Sequence, residues 1–355
     1  MAVTALTSRT LETPLIIAGL GISLLVTTLF SLTIGAVPIP VSDVAIILLK
    51  KVGLFSSMPT DEVHEVVLSS IRIPRIVMTI LIGAMLGVSG AALQGLFRNP
   101  LVEPGLIGVS GGAAAAVVIV VVFAGPLAAT GGWLYEFLIP IAAFGGGLLA
   151  TVLVLKMSCQ SGRTNIAVLI LIGVAVNALT GAIIGLAIFY ADENQLRTFT
   201  FWTLGDLGGA SWDKLTIAAP LILMSMAALL YFRRTLNALA MGESEAFHMG
   251  VNVERTKQLL VFFSALGVGV SVSLAGMIGF VGLVIPHLVR VVFQPDHQLV
   301  LPASILGGAL LLVLADIVAR TIASPSELPI GVVTALIGAP FFIMLLLNAK
   351  SKHEI

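Results

Sequence analysis

The chain has 355 residues, 58% of them hydrophobic and only 10% charged, with a mean hydropathy of +1.11. A soluble domain carries roughly 25% charged residues, so this composition excludes a water-soluble globule and implies an integral membrane protein. Net charge is zero, from 18 basic and 18 acidic residues, which excludes the basic surface of a nucleic-acid binder, and the lone Cys159 excludes an internal disulfide framework or a cysteine metal cage.

In chain order, apolar runs recur at lengths that suit membrane-spanning helices of about 20 residues, and the alternating pattern of a membrane barrel does not occur. The first run, Leu15–Ile34, is longer than a signal-peptide core and reads as a retained span. Nine more follow: Ile76–Gly95, Leu106–Phe123, Phe137–Leu155, Ile166–Tyr190, Leu215–Phe232, Leu259–Ile278, Phe280–Phe293, Val300–Ile322 and Pro329–Leu347. The eighth is shorter than a bilayer crossing requires and contains Pro286.

With a cytoplasmic N-terminus, ten crossings return the C-terminus to the same side. The inner side then holds Arg9, Arg98, Lys156, Arg163, Arg233, Arg234, Arg255, Lys257, Arg290, Lys350 and Lys352. The outer side holds Lys50, Lys51, Arg72, Arg75, Arg197, Lys214 and Arg320, and the inward excess of cations favours this orientation. The outer arginines run against that trend and need a reason of their own.

Small residues recur at four-residue spacing, as in Gly83/Gly87 and Gly181/Gly185, with "GVSGG" at 108–112 and "GGG" at 145–147. Such residues let helices approach closely in lipid, and plain packing is the simplest account of any one of them. Gly87-Val88-Ser89 is repeated at Gly269-Val270-Ser271, and Leu101-Val102-Glu103-Pro104 is echoed at the same offset by Leu283-Val284-Ile285-Pro286. The offset spans five crossings, so it predicts two halves, about 1–200 and 201–355, of opposite polarity within a single transmembrane domain covering 1–355.

Charged residues are scarce at the span centres. Asp316 and Arg320 stand one helical turn apart and predict a mutual pair. His287, beside Pro286, reads as a packing residue. The longest inward polar segment, 233–257, is punctuated by Gly242 and Gly250. Ser244 is placed to cap a short helix through Glu245-Ala246-Phe247, and Asn252 to cap the next span. A charged segment that also offers Phe247 and Met249 reads as a docking surface for a soluble partner. The chain has no phosphate-cradling loop, no nucleophile elbow and no zinc-spaced His/Glu pair, so it predicts neither an ATPase nor another enzyme, and no metal site or cofactor of its own.

Four blocks, "RIPR…GAMLGVSGAALQGLFRNPLVEPGLIGVSGGAA" (72–115), "FWTLGDLGGASW" (201–212), "AMGESEAFHMGV" (240–251) and "GMIGFVGLVIPHLVRVVFQPDHQLVLPAS" (276–304), resemble the permease subunits of FecCD-type ABC importers for iron chelates, haem and cobalamin. The resemblance implies an all-α type II importer fold with about ten membrane helices in two inverted five-helix halves. It implies a bacterial inner-membrane homodimer of permeases with the pathway at the interface. Two ATPase subunits, which carry ATP and magnesium, lie beneath it, and a periplasmic binding protein lies above. By the same resemblance Arg72, Arg75 and Arg320 pair with acidic residues of the binding protein. The segment Met241, Gly242, Glu243, Ser244, Glu245, Ala246, Phe247 and Gly250 matches the coupling helices that sit in the ATPase. Arg197, in the loop after the fifth span, is placed at the mouth of the substrate pathway, and Asn177 of the fifth span either faces that pathway or hydrogen-bonds to a neighbouring helix. Haem is the cargo favoured by that loop, and an anionic ferric siderophore or cobalamin is the alternative. The rival class, an ion-coupled secondary transporter, predicts ion-binding carboxylates at mid-membrane.

Overall fold

A computed structural model of the chain describes residues 2–54, 58–124, 133–160, 162–324 and 326–351. The helices run in the order α1 (Ala2–Thr33), α2 (Val41–Lys51), α3 (Glu62–Val66), α4 (Ile73–Phe97), α5 (Val109–Phe123), α6 (Trp133–Ser158), α7 (Ile166–Tyr190) and α8 (Glu193–Leu204). They continue as α9 (Trp212–Tyr231), α10 (Arg233–Met241), α11 (Glu243–His248), α12 (Val253–Ala275), α13 (Val281–Val292), α14 (His297–Ile322) and α15 (Ile330–Ser351). Strands β1 (Cys159–Gln160) and β2 (Arg163–Thr164) close a small antiparallel turn between α6 and α7.

Each of the ten apolar runs carries a helix. Among the described residues, seven helical segments are long and apolar enough to cross a membrane, and the shorter apolar helices Val109–Phe123, Val281–Val292 and Ile330–Met344 occupy the other three runs. Helices α4, α12 and α14 are largely buried, whereas α1, α6, α7 and α9 show most of their surface. The central helices touch at glycine. A Cβ at Gly83 would run into the carbonyl of Gly308, one at Gly87 into that of Ser304, and one at Gly90 into that of Gly282. A small-residue seam on α4 therefore seats both α13 and α14, because backbone contact replaces the missing hydrophobic drive between helices in lipid. Gly112 and Gly146 join α5 to α6 in the same way, whereas Gly181 and Gly185 on α7 have nothing within 4 Å.

Two helices are interrupted. The chain leaves α4 at Arg98 (φ 49°), passes through a 3₁₀ turn at Pro104–Ile107 and re-enters a helix after Gly108 (φ 86°). The third run, expected from Leu106, therefore begins its helix at Val109. Likewise α12 ends against Gly276 (φ 68°), and Phe280 (φ 67°) opens α13, so the seventh and eighth runs are separated by a true break. A 12-residue helix such as α13 rises only about 18 Å and cannot cross about 30 Å of hydrocarbon. The break before it is covered at Gly276, which lies against the carbonyl of Trp202, and open at Gly279, which has nothing within 4 Å.

Helices α6 and α14 are each 26 residues long and begin at 133 and 297, and α7 and α15 begin at 166 and 330, an interval of 164 residues in both pairs and not the 182 of the sequence matches. The Gly-Val-Ser match falls on α4 and α12. The second match sets a loop (101–104) against the interior of α13, so it is not a structural equivalence. Two expectations are corrected, and one connection adds elements of its own. The stretch after the fifth span is not a loop but the helix α8, fixed by a reciprocal Asp192–Gln195 capping box. The connection between the first two runs forms α2, α3 and a π-helical turn at Val67–Arg72. Ser244 does not cap α11, whose N-cap is Gly242 (φ 146°), while Asn252 does cap α12 by accepting from Arg255 N at 3.1 Å.

Candidate functional site

Arg72, Arg75 and Arg320 are brought together at one end of the bundle, but they do not project from it. They are 4%, 7% and 6% exposed. Arg75 donates from Nε and Nη2 to Asp316 Oδ1 (3.0 and 2.8 Å) and from Nη1 to both oxygens of Glu327 (3.0 and 2.7 Å). Arg320 Nε lies 3.0 Å from Asp316 Oδ2, so the expected i,i+4 pair forms, and its Nη groups donate to Ile34 O (3.0 Å) and Ser31 Oγ (2.6 Å). Arg72 donates to the carbonyls of Leu32 and Val37, and Gly35 leaves room for its guanidinium. The arginines therefore tie the end of α1 and its following turn to α4 and α14. Three cations meet two carboxylates here, and the members differ in access: Asp316 is 1% exposed, whereas the Glu327 side chain is 43% exposed.

The opposite end carries the segment 233–257. Helix α11 holds Phe247 and the flanking Met241 and Met249 in the open, at 68%, 68% and 64% exposure, while Ala246 is fully buried. Gly242 is required by its positive φ, and a Cβ there would also strike the Glu245 carboxylate. Several polar ties fix this segment to the bundle. Arg98 Nη2 donates to Leu239 O at 2.5 Å, and Asn237 donates to Asp296 Oδ1 (2.7 Å) while its Oδ1 accepts from His297 N (3.0 Å). Lys257 Nζ reaches Glu243 Oε2 at 2.7 Å. Sequence reasoning missed Asn237, Asp296, Lys257 and Glu254 here. Only the N-cap signal of Asp296 before α14 was there to be read.

The two residues expected on the pathway are not brought together. Asn177 is half-buried on α7 and donates to Gly105 O at 3.1 Å, beside Thr180. Arg197 is exposed on α8 with its guanidinium 5.7 Å from the Phe201 ring centre. Near Asn177, burial pushes the Glu103 carboxyl above its usual range. Ionising an acid whose folded pKa is raised costs stability, so stability is expected to fall as pH rises through and above the ordinary range near 4.3. Unfolding titrations of Glu103→Gln should lose that slope, and an unchanged slope would show the carboxyl to be solvated.

The comparisons with known proteins agree with one another. The model of the FecCD transport family matches residues 23–348. A hemin transport system permease protein of Yersinia pestis is 40% identical over 304 residues, covering 85% of this chain and 89% of that protein. A molybdate import system permease protein of Haemophilus influenzae is 37% identical over 335 residues, covering 95% and 96%. A cobalamin import system permease protein of Halobacterium salinarum is 41% identical over 292 residues, covering 82% and 76%. A solved structure described as a metal-chelate type ABC transporter in an inward-facing conformation superposes with a TM-score of 0.81 at 34% identity, covering 94% of this chain and 99% of that one. With the family model spanning nearly the whole bundle, from α1 to the last turns of α15, the chain belongs to the FecCD transport family.

Proposed function

We propose that the chain is the membrane-spanning permease of an ATP-driven importer of the bacterial inner membrane, with both termini cytoplasmic and haem as cargo. The observation that carries the first part is the polarity of the bundle: a buried cation cluster at one end and, at the other, a short polar helix, α11, that holds Phe247 in the open between the exposed Met241 and Met249. The cluster end receives a substrate-binding protein and the α11 end seats a separate ATPase. Arg75 exchanges its half-exposed partner Glu327 for a carboxylate of the binding protein, while Asp316 holds it in place. Two copies meet through α7, whose Gly181 and Gly185 face open space within the chain. Asp316 is the fully buried carboxylate of α14 and is engaged by two arginines, so it is not free to bind a coupling ion, which weighs against a secondary transporter.

The haem reading rests on similarity to the hemin permease and on Arg197, a cation suited to bidentate recognition of propionates. Cobalamin and ferric siderophores remain the alternatives, and the similar cobalamin permease is the specific reason to test the first. Proteoliposomes holding the permease with its ATPase and binding protein are expected to accumulate hemin in an ATP-dependent manner. Accumulation of cyanocobalamin instead would overturn the cargo. Charge reversal of the three arginines would measure folding, because all three are buried. Glu327→Gln is the cleaner test of docking. It should free Arg75 and tighten binding-protein affinity by about tenfold at low salt, and unchanged or weaker affinity would remove Arg75 from the docking surface.

A further inference from the structure

Thr164, the last residue of β2, is held at all three of its backbone and side-chain polar groups. Its N–H donates to Glu254 Oε2 at 2.7 Å, its hydroxyl donates to Glu254 Oε1, and its carbonyl accepts from Lys257 Nζ at 3.2 Å. Both partners stand in the first two turns of α12, and Lys257 also pairs with Glu243, the first residue of α11, at 2.7 Å. Thr164 is 3% exposed and Lys257 6%, whereas the carboxylates of Glu254 and Glu243 are partly open to the cavity beside them, so the charge-assisted bonds are anchored on two buried side chains. Asn165, the next residue, caps α7 by accepting from Ala167 N and Val168 N. A rigid chain of bonds thus runs from α11 through Lys257 to Thr164 and into α7.

The far end of that chain is as firmly fixed. Gly173 of α7 lies against the Leu106 carbonyl and Asn177 donates to Gly105 O, so α7 carries the 3₁₀ turn that interrupts the helix α4–α5. Between α11 and the start of α7 lies a cavity of about 1200 Å³ lined by Phe247, Ser244, Asn165 and Ala167. Side-chain packing across that space cannot pass a displacement from one helix to the other. The polar bridge can.

We infer that Glu254 and Lys257 are positioning residues that clamp Thr164 to the α11–α12 junction, so that displacement of α11 is delivered to α7 and the interrupted helix beside it. The inference rests on the coupling role given to α11 above. It is tested in the assembled transporter by hydrogen exchange with and without a non-hydrolysable ATP analogue, together with uptake per ATP hydrolysed. In the wild type the nucleotide should alter exchange at both 243–248 and 166–172. In Glu254→Gln, Lys257→Met and Thr164→Val the response at 243–248 should persist while that at 166–172 is lost, and uptake per ATP should fall about tenfold, the scale of one or two charged hydrogen bonds. Thr164→Ser, which keeps the hydroxyl, should restore both. A response at 166–172 that survives in the Glu254→Gln, Lys257→Met double variant would overturn the clamp. Absence of any response at 243–248 in the wild type would instead remove the coupling role, and the clamp with it.

Discussion

Asp316→Ala is expected to destabilise the detergent-solubilised protein by about 3–5 kcal/mol, the usual cost of removing one partner from a buried ion cluster. The carboxylate is 1% exposed and faces Arg75 on α4 and Arg320 one turn along α14. Without it, Arg75 keeps Glu327, but Arg320 is left with two backbone carbonyls and a hydroxyl, and both guanidinium groups stay buried. An unpaired buried charge is far more costly than a missing pair. The double variant Asp316→Ala, Arg320→Met is therefore expected to recover part of the loss, a non-additivity that chemical unfolding would measure directly. A loss below about 1 kcal/mol for the single variant would mean that water reaches the cluster.

The second large effect is expected at Gly90. Valine there would place a branched side chain against the Gly282 carbonyl at the start of α13, where backbone meets backbone and nothing flexible can yield. Overpacking of this kind costs about 3 kcal/mol. Gly181→Ala on α7 is the matched control. With nothing within 4 Å, the extra methyl should be neutral or stabilising by up to about 1 kcal/mol within one chain, from helix propensity alone. Thermal unfolding of the two variants side by side would check both. Equal losses would show that the α4 seam is not the close contact described here.

The spans were legible because a bilayer demands long apolar runs, and all ten runs carry helices. The ends of the interrupted helices were not. Arg98 and Phe280 take left-handed backbone without being glycine, so no residue type announced where α4 stops or α13 starts. Helix α8 lacks the long apolar run that marks the spans, and its sequence signal is the local Asp192–Gln195 capping box.

At the candidate sites, sequence reading found the charges but not their surroundings. Arg72, Arg75 and Arg320 were identified, and Asp316 was recognised as a partner one turn from Arg320. Glu327 was not, because its contact with Arg75 joins residues 252 positions apart. The backbone carbonyls of Leu32, Ile34 and Val37, which cover Arg72 and Arg320, carry no signal in residue identity at all. At the other end, Gly242, Gly250 and Asn252 marked the elbow correctly, since each is required by backbone conformation or capping. Thr164 and its clamp were invisible because they depend on how the turn between α6 and α7 folds against α12.

The most direct test of the central claim, that this chain is a passive conduit driven and loaded from its two ends, is solute accumulation in sealed proteoliposomes. Hemin should accumulate against a gradient only when the ATPase, the binding protein and ATP are all present, and an ionophore should leave uptake unchanged. Accumulation by the purified chain alone, or uptake that an imposed ion gradient drives, an ionophore collapses and ATP leaves unchanged, would contradict it.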